Sequence, residues 1–81
     1  MRITVKFFAI LRDVAATDEA ILDVPESAKV ADAVSTISQR FPQLSKHLPR
    51  VAFAVNRNYA PKETMLHDGD ELALLPPVSG G

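Results

Sequence analysis

The stretch ITVKFFAIL, residues 3–11, sets the fold class because β-branched and aromatic residues dominate it. Its side chains alternate between two faces, and a period of two is typical of a strand. One face is apolar and carries Ile3, Val5 and Phe7. The other face is mixed and carries Thr4, Lys6, Phe8 and Ile10. The pattern predicts a strand over residues 3–11 with one face in a core.

The pattern changes twice after this strand. RDVAATDE, residues 12–19, is polar and predicts a loop, and AILDV, residues 20–24, predicts a second strand that the following proline ends. From Val30 the apolar residues recur at helical spacing, which predicts an amphipathic helix. Pro42 ends this helix, because proline biases the preceding residue away from helical angles. Ser27 is the candidate N-terminal cap.

The second half of the chain predicts more strands. VAFAV, residues 51–55, is short and apolar, which favours a buried strand, and a turn at residues 56–58 leads to a brief return strand at residues 59–60. Another turn at residues 67–70 precedes ELALLP, residues 71–76, the last strand. The order predicts an α+β roll in which one main helix covers one face of a mixed sheet of four to five strands.

Length and composition limit the possible functions. The 81 residues suit one small domain, which we place at residues 1–76, followed by an extended tail at residues 77–81. The chain has no cysteine, so it offers no disulfide and no thiolate, which suits the cytoplasm. A net charge of −1 with scattered basic residues argues against a nucleic-acid partner, and no apolar run predicts a membrane span or a signal peptide.

The residue types of common active sites form no convincing constellation. His47 lies in a connector and His67 lies beside a turn, and neither has a nucleophile pattern, so we expect structural or solvated roles. The acidic run at residues 68–71 has too few ligands at calcium-loop spacing, and a turn before a strand explains it. We therefore expect no bound metal and no active site within the domain.

One helix leaves the opposite sheet face uncovered. By the predicted alternation that face carries Phe8, Ile10 and Leu75, together with Ala73. Single exposed apolar residues are common and require no explanation. A contiguous apolar patch, in contrast, marks a surface for a partner. Both interpretations remain open from the pattern alone, and the second makes these residues candidates for docking.

The final residues, PPVSGG, residues 76–81, have their own chemistry. Pro76 and Pro77 favour an extended root, and the four residues beyond them reach roughly 13 Å at about 3.3 Å each. Gly80 and Gly81 have no β-carbon, so they fit a narrow channel. A terminal carboxylate, with a pKa of about 3.3–3.7, is ionised at neutral pH and needs activation before acyl transfer. The alternative is an ordinary frayed end.

Four stretches together carry a resemblance that covers nearly the whole chain. They are FFAILRD at residues 7–13, VADAVSTISQRFP at residues 30–42, AVN at residues 54–56, and DGDELALLPPVSGG at residues 68–81. With them the chain resembles the ubiquitin-like β-grasp family and, within it, the sulfur carriers that are small subunits of molybdopterin synthase. The last stretch is the most specific, because DGDE, PPV and Gly-Gly occur together.

The resemblance implies a function for the tail. In such carriers an adenylating enzyme related to ubiquitin activators uses ATP to activate the terminal carboxylate, here that of Gly81, which then becomes a thiocarboxylate. The tail, here Pro76, Pro77, Val78, Ser79 and Gly80, is inserted into the large synthase subunit. That subunit supplies the catalytic residues, and the sulfur builds the dithiolene of molybdopterin in two turnovers. No cofactor is bound tightly, and the expected assembly has two small and two large subunits.

The resemblance also implies docking residues and leaves alternatives. Phe8, Leu75 and Val78 would be apolar contacts, and Arg12 a polar contact. The family often has a glycine turn where this chain has Ala15 and Ala16, a glycine at the position of Arg57, and in some relatives an aromatic residue at the position of Leu75. These departures concern turns and docking strength rather than the chemistry of the Gly-Gly end. A carrier for thiazole synthesis or tRNA thiolation, a protein modifier conjugated to lysines, and an interaction domain with an inert tail are the competing hypotheses.

Overall fold

The computed structural model describes residues 1–77. Within them the strands are β1 (Arg2–Phe7), β2 (Glu19–Asp23), β3 (Ala52–Val55), β4 (Asn58–Tyr59) and β5 (Glu71–Leu75). The helices are α1 (Ile10–Ala15) and α2 (Val30–Arg40), and two short 3₁₀ turns follow at Pro42–Leu44 and Leu48–Arg50. This confirms the predicted α+β architecture with one main helix.

The five strands of the described region form one mixed sheet in the order β2-β1-β5-β3-β4. β1 pairs in parallel with β5, and the other neighbours are antiparallel. A parallel pair cannot be closed by a tight hairpin, so the chain between β1 and β5 must cross over, and α2 lies in that crossover. The first and last strands therefore lie side by side in the middle of the sheet.

The core lies between the sheet and α2. Ile3, Val5 and Phe7 of β1 are at most 1% exposed, as the alternation predicts. Along α2 the buried residues are Val30, Ala33 and Ile37, and the facing strand β5 buries Leu72 and Leu74. Each fully buried Val, Ile, Leu or Phe side chain of this core contributes roughly 1.5–3 kcal/mol to folding.

The prediction of a strand through residue 11 is wrong beyond Phe7. Ala9 has a φ of 52° and a ψ of −127°, a conformation that turns the chain, and α1 begins at Ile10. Leu11 is 0% exposed because this helix directs it into the core. The predicted loop at residues 12–19 is also wrong, since α1 continues to Ala15 and β2 begins at Glu19.

The N-terminal cap of α2 differs from the prediction. Lys29, not Ser27, occupies the cap position, and its backbone N–H donates to Oδ2 of Asp32 at 2.8 Å. Asp32 thus satisfies one of the groups that a helix end leaves unpaired, and its charge suits the positive end of the helix dipole. The predicted end of the helix before Pro42 is confirmed.

Both predicted turns are confirmed, and side chains join them. Asn56 and Arg57 have φ values of 50° and 72°, and Gly69 has a φ of 86°. Nδ2 of Asn56 donates to Oδ1 of Asp70 at 2.9 Å, and the His67 backbone N–H donates to Oδ2 of Asp70 at 2.8 Å. Asp70 therefore has a structural role. Among residues 1–77, no three histidine or carboxylate side chains lie close enough to hold a metal ion.

Candidate functional site

The sheet face opposite α2 contains a shallow hollow of about 490 Å³. We call this surface the open sheet face. Its lining residues come from four strands, from α1 and from the turns beside them. They are Lys6, Phe7, Phe8, Arg12, Asp18, Ala54, Arg57, Tyr59, Glu71, Ala73 and Leu75.

Strand register explains why the face is hollow. One row of paired residues runs across the whole sheet through Glu19, Lys6, Ala73, Ala54 and Tyr59. The neighbouring strands β5 and β3 contribute only alanine to this row, while the strands on either side of them contribute long side chains. Because alternate residues point to the same face, this row faces away from the α2 side. A partner that covered this face would contact the small alanine side chains at its centre and the longer side chains at its edges.

An ion pair holds Lys6, one of the residues that line the hollow. Nζ of Lys6 lies 2.9 Å from Oε2 of Glu19, directly across the β1–β2 ladder. The hydrogen bond and the charge of Glu19 raise the pKa of Lys6 above its ordinary value of 10.5. Lys6 is therefore a cation at neutral pH, held beside Glu19 at the side of the alanine row.

Of the four predicted docking residues within residues 1–77, the structure brings three onto this face. Phe8 is 44% exposed, Leu75 is half-buried, and Arg12 of α1 lines the same hollow. Ile10 is the exception, because it lies on a different surface. The chain turns at Ala9, so Phe8 lies on the open sheet face while Ile10 lies on another surface. The prediction that Phe8 and Ile10 share one strand face is therefore wrong.

Ile10 instead lies at the root of the tail. It lines a groove of about 160 Å³ with Pro76 and Pro77, the residues that follow β5. Leu75 lines the open sheet face and Pro76 lines the groove, so the chain leaves the sheet where these two surfaces meet. The predictions for Val78, Ser79, Gly80 and Gly81 fall outside the described residues.

Sequence reasoning missed two members of the open sheet face. Tyr59 is 80% exposed, the most exposed large apolar side chain in the described region, and Arg57 lines the same hollow. The available signal was the chain's one tyrosine, directly after a polar turn. Aromatic and arginine side chains are enriched at protein interfaces, so both fit a docking role.

The fold and this surface define the class of protein. A five-stranded mixed sheet crossed by one main helix is the architecture of the ubiquitin-like β-grasp domain. The sequence assigns the chain to a family within this fold. The sequence profile of the ThiS family matches residues 5–81, and the chain belongs to that family.

Individual relatives agree with this assignment. The chain is 35% identical to the molybdopterin synthase sulfur carrier subunit of Mycobacterium tuberculosis, over 100% of this chain and 99% of that protein. The crystal structure of SAMP1 from Haloferax volcanii is similar with a TM-score of 0.93 at 31% identity, covering 100% of both chains. A chain in the complex of subunits 1 and 2 of molybdopterin-converting factor from Helicobacter pylori is similar with a TM-score of 0.72 at 28% identity, also over 100% of both.

Proposed function

We propose that this protein is the sulfur carrier subunit of a molybdopterin synthase. The observation that carries the proposal is the full-length match to the Mycobacterium tuberculosis carrier subunit, with 35% identity and no uncovered segment of this chain. The family match extends through residue 81, so it includes the Gly-Gly pair. The open sheet face supports the proposal, because a carrier must dock on other proteins to deliver its cargo.

In this proposal Gly81 bears the sulfur. An adenylating enzyme transfers AMP from ATP to the Gly81 carboxylate and releases pyrophosphate. A sulfur nucleophile at the oxidation level of sulfide then attacks the acyl-adenylate and expels AMP, which gives the thiocarboxylate. A carboxylate alone is a poor acyl donor, so the activation step is required. The described residues of the carrier bind the partner protein and position the tail, and they do not act as acids or bases. No tightly bound cofactor takes part on the carrier side.

The large synthase subunit is the proposed recipient. The complex of subunits 1 and 2 from Helicobacter pylori supports a partner of this kind. Phe8, Tyr59 and Leu75 dock on it, and Arg12 adds a polar contact at the rim of the same hollow. The chain then enters the recipient's active site from Pro77 onward, with Gly80 passing the narrowest part. We further propose an assembly of two small and two large subunits in the cytoplasm.

A protein modifier is the second candidate function. The similarity to SAMP1 proteins favours it, since the small archaeal modifier protein 1 (SAMP1) of Methanosarcina acetivorans is 32% identical to this chain. A modifier uses the same activated carboxylate but transfers the chain itself to a lysine. The two functions therefore share the first chemical step and differ in the acceptor.

Mass spectrometry of the intact chain separates the two functions. The protein is incubated with ATP, the adenylating enzyme and a sulfur donor from its own organism. The carrier proposal predicts replacement of one terminal oxygen by sulfur, with the mass otherwise unchanged. A ladder of conjugates to other proteins, with no thiocarboxylate accumulating, would favour the modifier. An unchanged mass would contradict both.

A further inference from the structure

The groove at the tail root carries a concentrated positive charge. The connector between α2 and β3 supplies it, and two leucines hold this connector in place. Leu44 is 0% exposed and Leu48 is 7% exposed, so both anchor the 3₁₀ turns to the core. The polar residues between and after them therefore lie outside, and Lys46, His47 and Arg50 line the groove beside Pro76 and Pro77.

The charge of this groove is not balanced locally. Its lining residues are Ile10, Leu11, Lys46, His47, Arg50, Val51, Pro76 and Pro77, and none of them is acidic. Within residues 1–77 the ion pairs are Arg2–Asp23, Lys6–Glu19 and His67–Asp70, all outside the groove. The whole chain has a net charge of −1, so the groove differs in sign from the molecule as a whole.

We propose that this basic groove is a second contact surface for the large subunit, and that it binds an acidic segment at the entrance of the channel that takes the tail. This inference rests on the proposed function. Pro77 lines the groove and is the first residue of the tail. Because one residue spans at most about 3.6 Å, a protein that encloses the chain from residue 78 onward necessarily approaches the groove.

The chemistry of the groove determines what covers it. Covering Lys46 and Arg50 with an apolar surface would remove water from two cations without replacing it, which is costly. Carboxylates on the covering segment avoid that cost and also accelerate association by long-range attraction. Ile10 and Val51 provide an apolar floor, so the segment that fits has acidic side chains beside at least one aliphatic one.

Charge reversal tests the inference on the full chain. The affinity for the purified large subunit is measured at low and at physiological salt for the wild type and for the double variant Lys46→Glu/Arg50→Glu. We expect the wild-type affinity to fall as salt rises, because screening weakens exposed charge pairs. The double variant should bind about tenfold more weakly at low salt, as expected for two exposed pairs, and should lose most of the salt dependence.

Lys62→Glu/Lys29→Glu is the matched control, since both lysines are exposed and lie outside the groove while the charge change is equal. It should bind as the wild type does. Thermal melting by circular dichroism should be the same for the three proteins. If the double variant binds the large subunit as tightly as the wild type does, the inference is overturned while the proposed function stands.

Two further results would also overturn the inference. A loss of affinity only for the adenylating enzyme would assign the groove to that partner instead. Failure of the wild type to bind the large subunit would reject both the inference and the proposed function. Sulfur loading of Gly81 provides an independent check, because it reports the proposed function even where the groove has no effect on binding.

Discussion

Replacement of Phe8 by lysine should separate docking from folding. Phe8 is 44% exposed at the rim of the open sheet face. A phenylalanine side chain buries about 200 Å² when fully covered, so roughly 90 Å² remains available to a partner. At about 25 cal/mol per Å², covering that area contributes about 2 kcal/mol, or roughly 30-fold in Kd. Phe8→Lys should therefore weaken binding of the large subunit at least about 30-fold in titration calorimetry.

The same variant should remain folded. The aliphatic stem of lysine can cover the part of the sheet that the ring covers now, so we expect a loss of less than about 1.5 kcal/mol in the free energy of unfolding. Met65→Lys is the matched control, because Met65 is 51% exposed and lies outside the open sheet face. It should leave the affinity unchanged. Wild-type affinity in Phe8→Lys would contradict a docking role for Phe8, and a collapse of its melting temperature would place Phe8 in the core.

Two other predictions concern stability. Ala9→Gly should raise the free energy of unfolding by about 1 kcal/mol, because Ala9 has a φ of 52° and glycine adopts that conformation without strain; chemical denaturation checks this, and a destabilised variant would show that Ala9 is not strained. The Lys6–Glu19 pair raises the pKa of Lys6, so its stabilisation is complete below pH 10.5 and is lost as the pH rises through the folded-state pKa. The difference in unfolding free energy between wild type and Lys6→Met should therefore stay constant from pH 7 to 9 and shrink at higher pH, and a difference that shrinks already between pH 7 and 9 would contradict it.

The sequence alone predicted the strands and the helix that bury only one face. β1 alternates cleanly because one of its faces lies under α2, and α2 itself shows a helical period for the same reason. β5 was predicted from its short apolar run rather than from alternation, since Leu72, Ala73 and Leu74 are all buried. The prediction failed at Ala9, where alanine gives no local signal of a positive φ. That conformation results from long-range packing, because the turn allows Phe7 and Leu11 to reach the same core. A single sequence does not display such a constraint.

The candidate site was predictable only in part, for a similar reason. Phe8 and Leu75 were found because they fall on the uncovered side of predicted strands. Tyr59 was missed because β4 has two residues, too few to show a period. The cations at residues 46–50 were missed because two 3₁₀ turns have no period that distinguishes an outer face. Only the fold places them beside Pro76 and Pro77.

A single-turnover experiment tests whether Gly81 carries sulfur for the large subunit. The thiocarboxylated chain is mixed with the large subunit and the pterin precursor, and both the intact mass of the carrier and the dithiolene product are followed. We expect the carrier to return to its carboxylate mass as product forms, with two carriers consumed for each product. A thiocarboxylate that persists in the presence of a competent large subunit, or product formed by a chain lacking Gly81, would contradict it.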